Sequence, residues 1–147
     1  MKRKEDIKRR TLLTALAGAT SFASSSLATD RRRPDKIVFA FNGQMISVTL
    51  IDNPTSRALM KLLPLSLTIE DYAHNEKIIR LPQRLPTTGN VPFAQEAPGD
   101  LCYFAPWGNL AFFYAAYEYS SGLTRIGKID GNIAPLLNKG TYKLTIR

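Results

Sequence analysis

One cysteine, one histidine and one tryptophan stand among 147 residues, and each scarcity removes a class of chemistry. Cys102 has no second cysteine to pair with, so an intramolecular disulfide is excluded. With His74 as the sole imidazole, no zinc site of ordinary Cys/His spacing can be assembled. A Ser-His-Asp arrangement would have to recruit His74, which lies in the polar segment DYAHNE with no nucleophile motif in view. G-x-S-x-G, the P-loop and the dinucleotide-binding glycine fingerprint do not occur. We therefore expect no metal and no cofactor. His74 reads as a solvated turn residue, and Cys102, set in an apolar run, as an inert buried thiol.

Long apolar runs are missing as well. The front of the chain has a basic segment, MKRKEDIKRR, then twelve residues from Leu12 to Ala23, then a small-residue exit at Ser26-Leu27-Ala28. Twelve residues fall short of the ~20 that cross a bilayer as a helix. The pattern is that of an export signal cleaved after Ala28, the alternative being an uncleaved N-terminal anchor. Arg9-Arg10-Thr11-Leu12-Leu13 resembles the twin-arginine signature, although Sec signals are basic at their start too. The expected location is periplasmic or secreted, with no stable membrane anchor after cleavage.

Acidic residues are fewer than basic ones, 12 against 20, but the excess is partly the signal's own. Residues 1–28 hold six basic and two acidic side chains, so half of the formal +8 leaves on cleavage. Arg31, Arg32 and Arg33 lie between Asp30 and Asp35 in a flexible basic tail, residues 29–35. Charges so flanked are a solvated tail, and no nucleic-acid partner is implied.

The remaining residues, 36–147, suffice for one domain with a single core. KIVFAF and QMISVTLI flank Asn42-Gly43, a strong hairpin signal. In NPTSRALMKLLP, Asn53 is an N-cap, Pro54 suits the first helical turn, Leu59, Leu62 and Leu63 share a face, and Pro64 stops the helix. LSLTIEDY, KIIRL, LCYFA, LAFFYAAYEY, LTRIGKID and TYKLTIR read as six further strands, and NIAPLLNK as a second short helix capped by Asn132. Residues 82–98, with four prolines, form a long irregular loop. Eight strands without strand–helix alternation predict a mostly β fold, a small closed antiparallel barrel or sandwich with two short helices.

The aromatic stretch GDLCYFAPWGNLAFFY, residues 99–114, is the candidate site region. On LAFFYAAYEY, Leu110, Phe112 and Tyr114 fall on one face, and Ala111, Phe113, Ala115 and Tyr117 on the other. A strand apolar on both faces suits a barrel wall packed inside and covered by a helix or loop outside. Phe112 and Phe113 then belong to the core, whereas Tyr103, Tyr114 and Trp107 have polar ends that need a partner. Trp107 and Asn109, placed in the turn Pro106-Trp107-Gly108-Asn109, form the best ligand-facing pair. Glu70 and Asp71 are adjacent and so face opposite ways on a strand; either could be answered by Arg80, Arg84 or Arg125.

FNGQMISVTLIDNPTSRALMKLLPLSLTIEDY, the EKI and LP segments after it, GDLCYFAPWGNLAFFY and GLTRIGKIDG together span nearly all of residues 36 to 131. In that order they resemble the bacterial cyclophilin-like fold proteins. The resemblance implies a small closed β-barrel with the architecture of cyclophilins, capped by short helices. It brings no activity: the F-x-M-Q-G-G-D-type signature of the prolyl isomerases is absent, and no isomerase residue carries over to His74 or Trp107. The leading expectation is a binding module for a small molecule or short peptide, its pocket edged by Tyr72, Arg80, Tyr103, Trp107, Asn109 and Tyr114. A divergent peptidyl-prolyl isomerase for exported proteins is the alternative, since that reaction needs neither acid, base nor metal. An accessory protein acting through an exposed surface, alone or as a homo-oligomer, is the third.

Overall fold

The computed structural model describes Gly18 and residues 33–147. Apart from Gly18, the expected export signal and residues 29–32 of the basic tail lie outside the described residues. Eight strands follow in chain order: β1 (Lys36–Phe41), β2 (Gln44–Leu50), β3 (Leu65–Tyr72), β4 (Glu76–Arg80), β5 (Asp100–Phe104), β6 (Asn109–Phe113), β7 (Leu123–Ile129) and β8 (Thr141–Ile146). They close into a barrel in the order β1-β2-β7-β5-β6-β4-β3-β8, every pairing antiparallel. Closure leaves no edge open, as strands this apolar require.

Local sequence explains each junction. Asn42 and Gly43 take φ of 51° and 67°, the left-handed pair of a two-residue hairpin that joins β1 to β2. Helix α1 (Pro54–Leu62) starts with a capping box: Asn53 Oδ1 accepts from Ser56 N at 2.8 Å while Ser56 Oγ accepts from Asn53 N at 3.1 Å. The helix is short, and it persists because Leu59 enters the barrel's main core. The 82–98 loop is tied down at several points. Leu85 is buried with its N–H on the Tyr103 hydroxyl (3.0 Å), and Asn90 donates to both Thr55 and Thr124.

Alternation sorts the strands into two layers. Phe39, Val48, Ile69, Ile79, Leu101, Leu110, Phe112 and Ile126 fill the interior. Cys102, Ala111, Phe113 and Leu123 form a second apolar cluster on the outer face of β5, β6 and β7, joined there by Phe93, Phe104, Tyr117 and Tyr119. The double burial read from LAFFY thus has its cause in two chain segments, 82–98 and 114–122, lying against the outside of the wall.

Three boundaries differ from the sequence reading. The strand drawn through Tyr119 ends at Phe113: the Tyr114 N–H still donates to the Asn75 carbonyl (3.0 Å) in register with β4, and beyond it the chain leaves the sheet. Asn109 is the first residue of β6, facing Arg80 on one side and Phe104 on the other, and not part of the turn. NIAPLLNK forms only a single 3₁₀ turn, Ala134–Leu137. Asn132 Oδ1 accepts from Ala134 N at 2.7 Å, a local turn bond that leaves the true cap position to Ile133.

Candidate functional site

On the outer wall, the cover stops short. Between the β3–β4 turn, the β5–β6 turn and the 114–122 segment lies an open cleft of roughly 330 Å³. Its floor is the outward row of the wall, Ile78, Asn109, Phe113 and Leu123. One side is a chain of edge-to-face rings: Tyr72 meets Trp107 at 5.2 Å, and Trp107 meets Phe104 at 5.6 Å. The other side is Tyr117, Glu118 and Ser120.

That second side is held by a polar network under the 114–122 segment. The Tyr117 ring stacks on Phe113 with centroids 3.6 Å apart, and its hydroxyl donates to the fully buried Asp100 at 2.8 Å. Asp100 Oδ2 also accepts from Ala97 N (3.0 Å) and Arg125 (3.3 Å), while Oδ1 has only the Lys128 ammonium at 3.6 Å. Burial pushes the Tyr117 phenol well above its ordinary range, so it remains a donor to Asp100. Cys102 sits beside it, Sγ 3.6 Å from the Tyr117 oxygen, its thiol pushed by burial up to about 12.

The cleft carries two carboxylates, Glu76 and Glu118, and no cationic side chain. Asn109 is only 2% exposed; its Nδ2 donates to the Leu110 carbonyl at 3.0 Å, and its Oδ1 has no donor. Glu76 is half-buried, and burial raises its pKa above 4.5. Neither Glu76 nor Glu118 joins an ion pair among the described residues, and no lysine, arginine or histidine lines the cleft. Basic side chains nearby are engaged elsewhere: Lys77, 0% exposed, pairs inside the barrel with Asp71 at 2.9 Å, and Arg80 pairs with Glu70. Asp71 is pushed up by burial, yet the Gly140 N–H and the Lys77 ammonium outweigh that and hold it below its ordinary value. Among the described residues, no group of three His, Cys, Asp or Glu comes together to hold a metal ion.

Of the six candidate residues, Tyr72, Trp107 and Asn109 line the cleft together. Tyr103 and Tyr114 belong to the interior core, their hydroxyls bound to Leu85 N (3.0 Å) and Lys139 Nζ (2.5 Å). Arg80 is exposed on the outer face but does not line the cleft. His74 stands in an exposed turn, as read. Arg84 donates to the Ala105 carbonyl and Arg125 to Asp100, so neither answers Glu70 or Asp71. Phe113, Tyr117 and Glu76 went unselected, although parity carried a signal. The alternation that turns Asn109 outward turns Ala111 and Phe113 outward as well, and sends Tyr103 inward opposite Leu110.

These features define a small closed antiparallel barrel with an aromatic cleft on its outer wall. Residues 39–147 match the Cyclophilin-like family, and the chain belongs to that family. The fold is similar to the solution structure of the hypothetical protein AF2241 from Archaeoglobus fulgidus, with a TM-score of 0.58. That likeness covers 81% of this chain and 98% of the other at 16% identity, and it speaks for the fold alone. No curated protein is matched by this sequence.

Proposed function

We propose that this chain is an exported binding module that holds a small molecule or a short peptide in the outer-wall cleft. The observation that carries the reading is an interrupted cover. The outward face of β6 is buried from Asn109 to Phe113, yet the segments that bury it leave roughly 330 Å³ between the Trp107 side and the Tyr117 side. A concave, mainly apolar site with a few fixed polar groups, near the small end of the ~300–1,000 Å³ usual for ligand sites, suits a compact ligand. The basic front of the chain, its twelve-residue apolar run and its Ser26-Leu27-Ala28 exit support export, with the mature protein starting at Thr29.

Trp107 is the only tryptophan and is 56% exposed at the rim, so its emission reports on the cleft alone. A set of small polar-aromatic and dipeptide fragments titrated into the purified protein should give saturable changes in that emission, abolished or weakened by Tyr72→Ala. A set that leaves Trp107 unchanged up to millimolar concentration would sink the binding reading.

One observation favours the isomerase reading. Arg80 stands on the same outer face, in register with Asn109. Its guanidinium is taken by Glu70, however, and the cleft offers no other cation to stabilise a twisted amide. We expect no prolyl isomerisation in a protease-coupled assay. Turnover that disappears in Arg80→Ala or Trp107→Ala would reverse the order of the two readings.

A further inference from the structure

We infer that the outer-wall cleft selects a cation: a primary ammonium or guanidinium group on an apolar stem, either a free amine or a lysine or arginine side chain of a peptide. The inference rests on the binding reading above and names the chemistry of its ligand.

Three properties of the lining point the same way. First, its ionisable acids are Glu76 and Glu118, neither in an ion pair among the described residues, and it presents no positive side chain. Residues 29–147 still carry a formal charge of +4, so a cleft with carboxylates and no cation runs against the balance of the chain. An anionic ligand would meet two carboxylates and no counter-charge. Second, the Glu76 carboxylate on the lining is half-buried and has no counter-charge among the described residues. A purely apolar ligand would leave it further desolvated and unpaired, which costs free energy that an N–H donor recovers. Third, the sides carry Tyr72, Trp107 and Tyr117, rings whose electron-rich faces attract a cation and whose area buries its stem.

The donor requirement sharpens the class. A quaternary ammonium suits the rings but has no N–H to donate to the Glu76 carboxylate. Primary ammonium and guanidinium groups satisfy both. The raised pKa of Glu76 fits a carboxylate that lacks a partner until a cation arrives.

The test is isothermal titration of the purified protein with n-pentylamine, pentan-1-ol, pentyltrimethylammonium and pentanoate, and with capped Ala-Lys-Ala and its norleucine counterpart. Pentylamine or the lysine peptide should bind at least about tenfold more tightly than its neutral counterpart, the scale of one charge-assisted hydrogen bond at a half-buried site. The quaternary probe should be weaker than pentylamine, and pentanoate should show no binding. Glu76→Gln should remove most of the advantage of the charged probe while leaving the neutral one unchanged. Tighter binding of pentylamine than of the lysine peptide assigns a free amine, and the reverse assigns a peptide side chain. Neutral probes that bind in the cleft as tightly as charged ones overturn the cation inference and leave the binding module standing. If no probe binds and no fragment moves Trp107, both fall.

Discussion

Glu76 is the residue at which stability and binding oppose each other. Its pKa in the folded protein lies above the ordinary 4.5, because burial disfavours the charged form. The folded state therefore holds this proton more tightly than the unfolded chain, and the ionised group costs stability at neutral pH. That cost fades as the pH falls through the raised pKa and is gone below the ordinary glutamate range. Glu76→Gln should raise Tm at pH 7, with the gain shrinking on acidification, while weakening a cationic ligand. Glu118 is the other carboxylate of the lining, and Glu118→Gln serves as the control. A Tm that falls at pH 7 in Glu76→Gln would mean that the carboxylate has a partner in the folded protein. Cys102 supplies a second prediction at this scale. It is 0% exposed, with its thiol pushed up to about 12 by burial, so a thiol reagent at pH 8 should leave it unlabelled until the protein unfolds. Prompt labelling of the native protein would show that the 114–122 cover opens readily.

At the scale of elements, the site depends on where β6 stops. KIVFAF-Asn42-Gly43-QMISVTLI and the Asn53-Pro54 helix start could be read because the decisive interactions lie within four residues of each other. LAFFYAAYEY could not be read in the same way. Its composition continues as a strand to Tyr119, and where it stops is set by a partner strand some forty residues earlier, with the Tyr114 N–H on the Asn75 carbonyl as its last bond in register. The segment that leaves the sheet there becomes one side of the cleft. Parity put Phe113 and Tyr117 on the same face as Asn109, but nothing local brought Glu76 to that face. Tyr103 and Tyr114 could have been set aside on parity alone, because both alternate with the inward row. The Tyr117 hydroxyl fastens that segment to Asp100, a buried carboxylate with few donors to spare. Tyr117→Phe keeps the ring on Phe113 but removes this donor, and should cost about 1–3 kcal/mol of stability in thermal or urea unfolding. An unchanged unfolding midpoint would mean that the segment is held by stacking alone.

For the whole molecule, the barrel and the cleft draw on different parts of the chain. Interior packing, closure and the Lys77–Asp71 pair make the scaffold, while the site is the gap left by two segments folded over its outside. The fold was legible from period-two patterning and turn residues, which act over short distances. The cleft is a property of how three connections meet, and only its rim residues Tyr72 and Trp107 and the floor residue Asn109 could be picked out in advance. The most direct test of the cleft as the binding site is an ¹⁵N-correlation NMR titration of the purified protein with pentylamine. Binding there predicts saturable shifts confined to the Trp107 indole N–H, the Asn109 side-chain amide and the backbone amides of residues 75–78 and 113–120. Shifts centred elsewhere, such as the groove beside Asp35, Asp52 and Arg57, or no shifts at all, would contradict it.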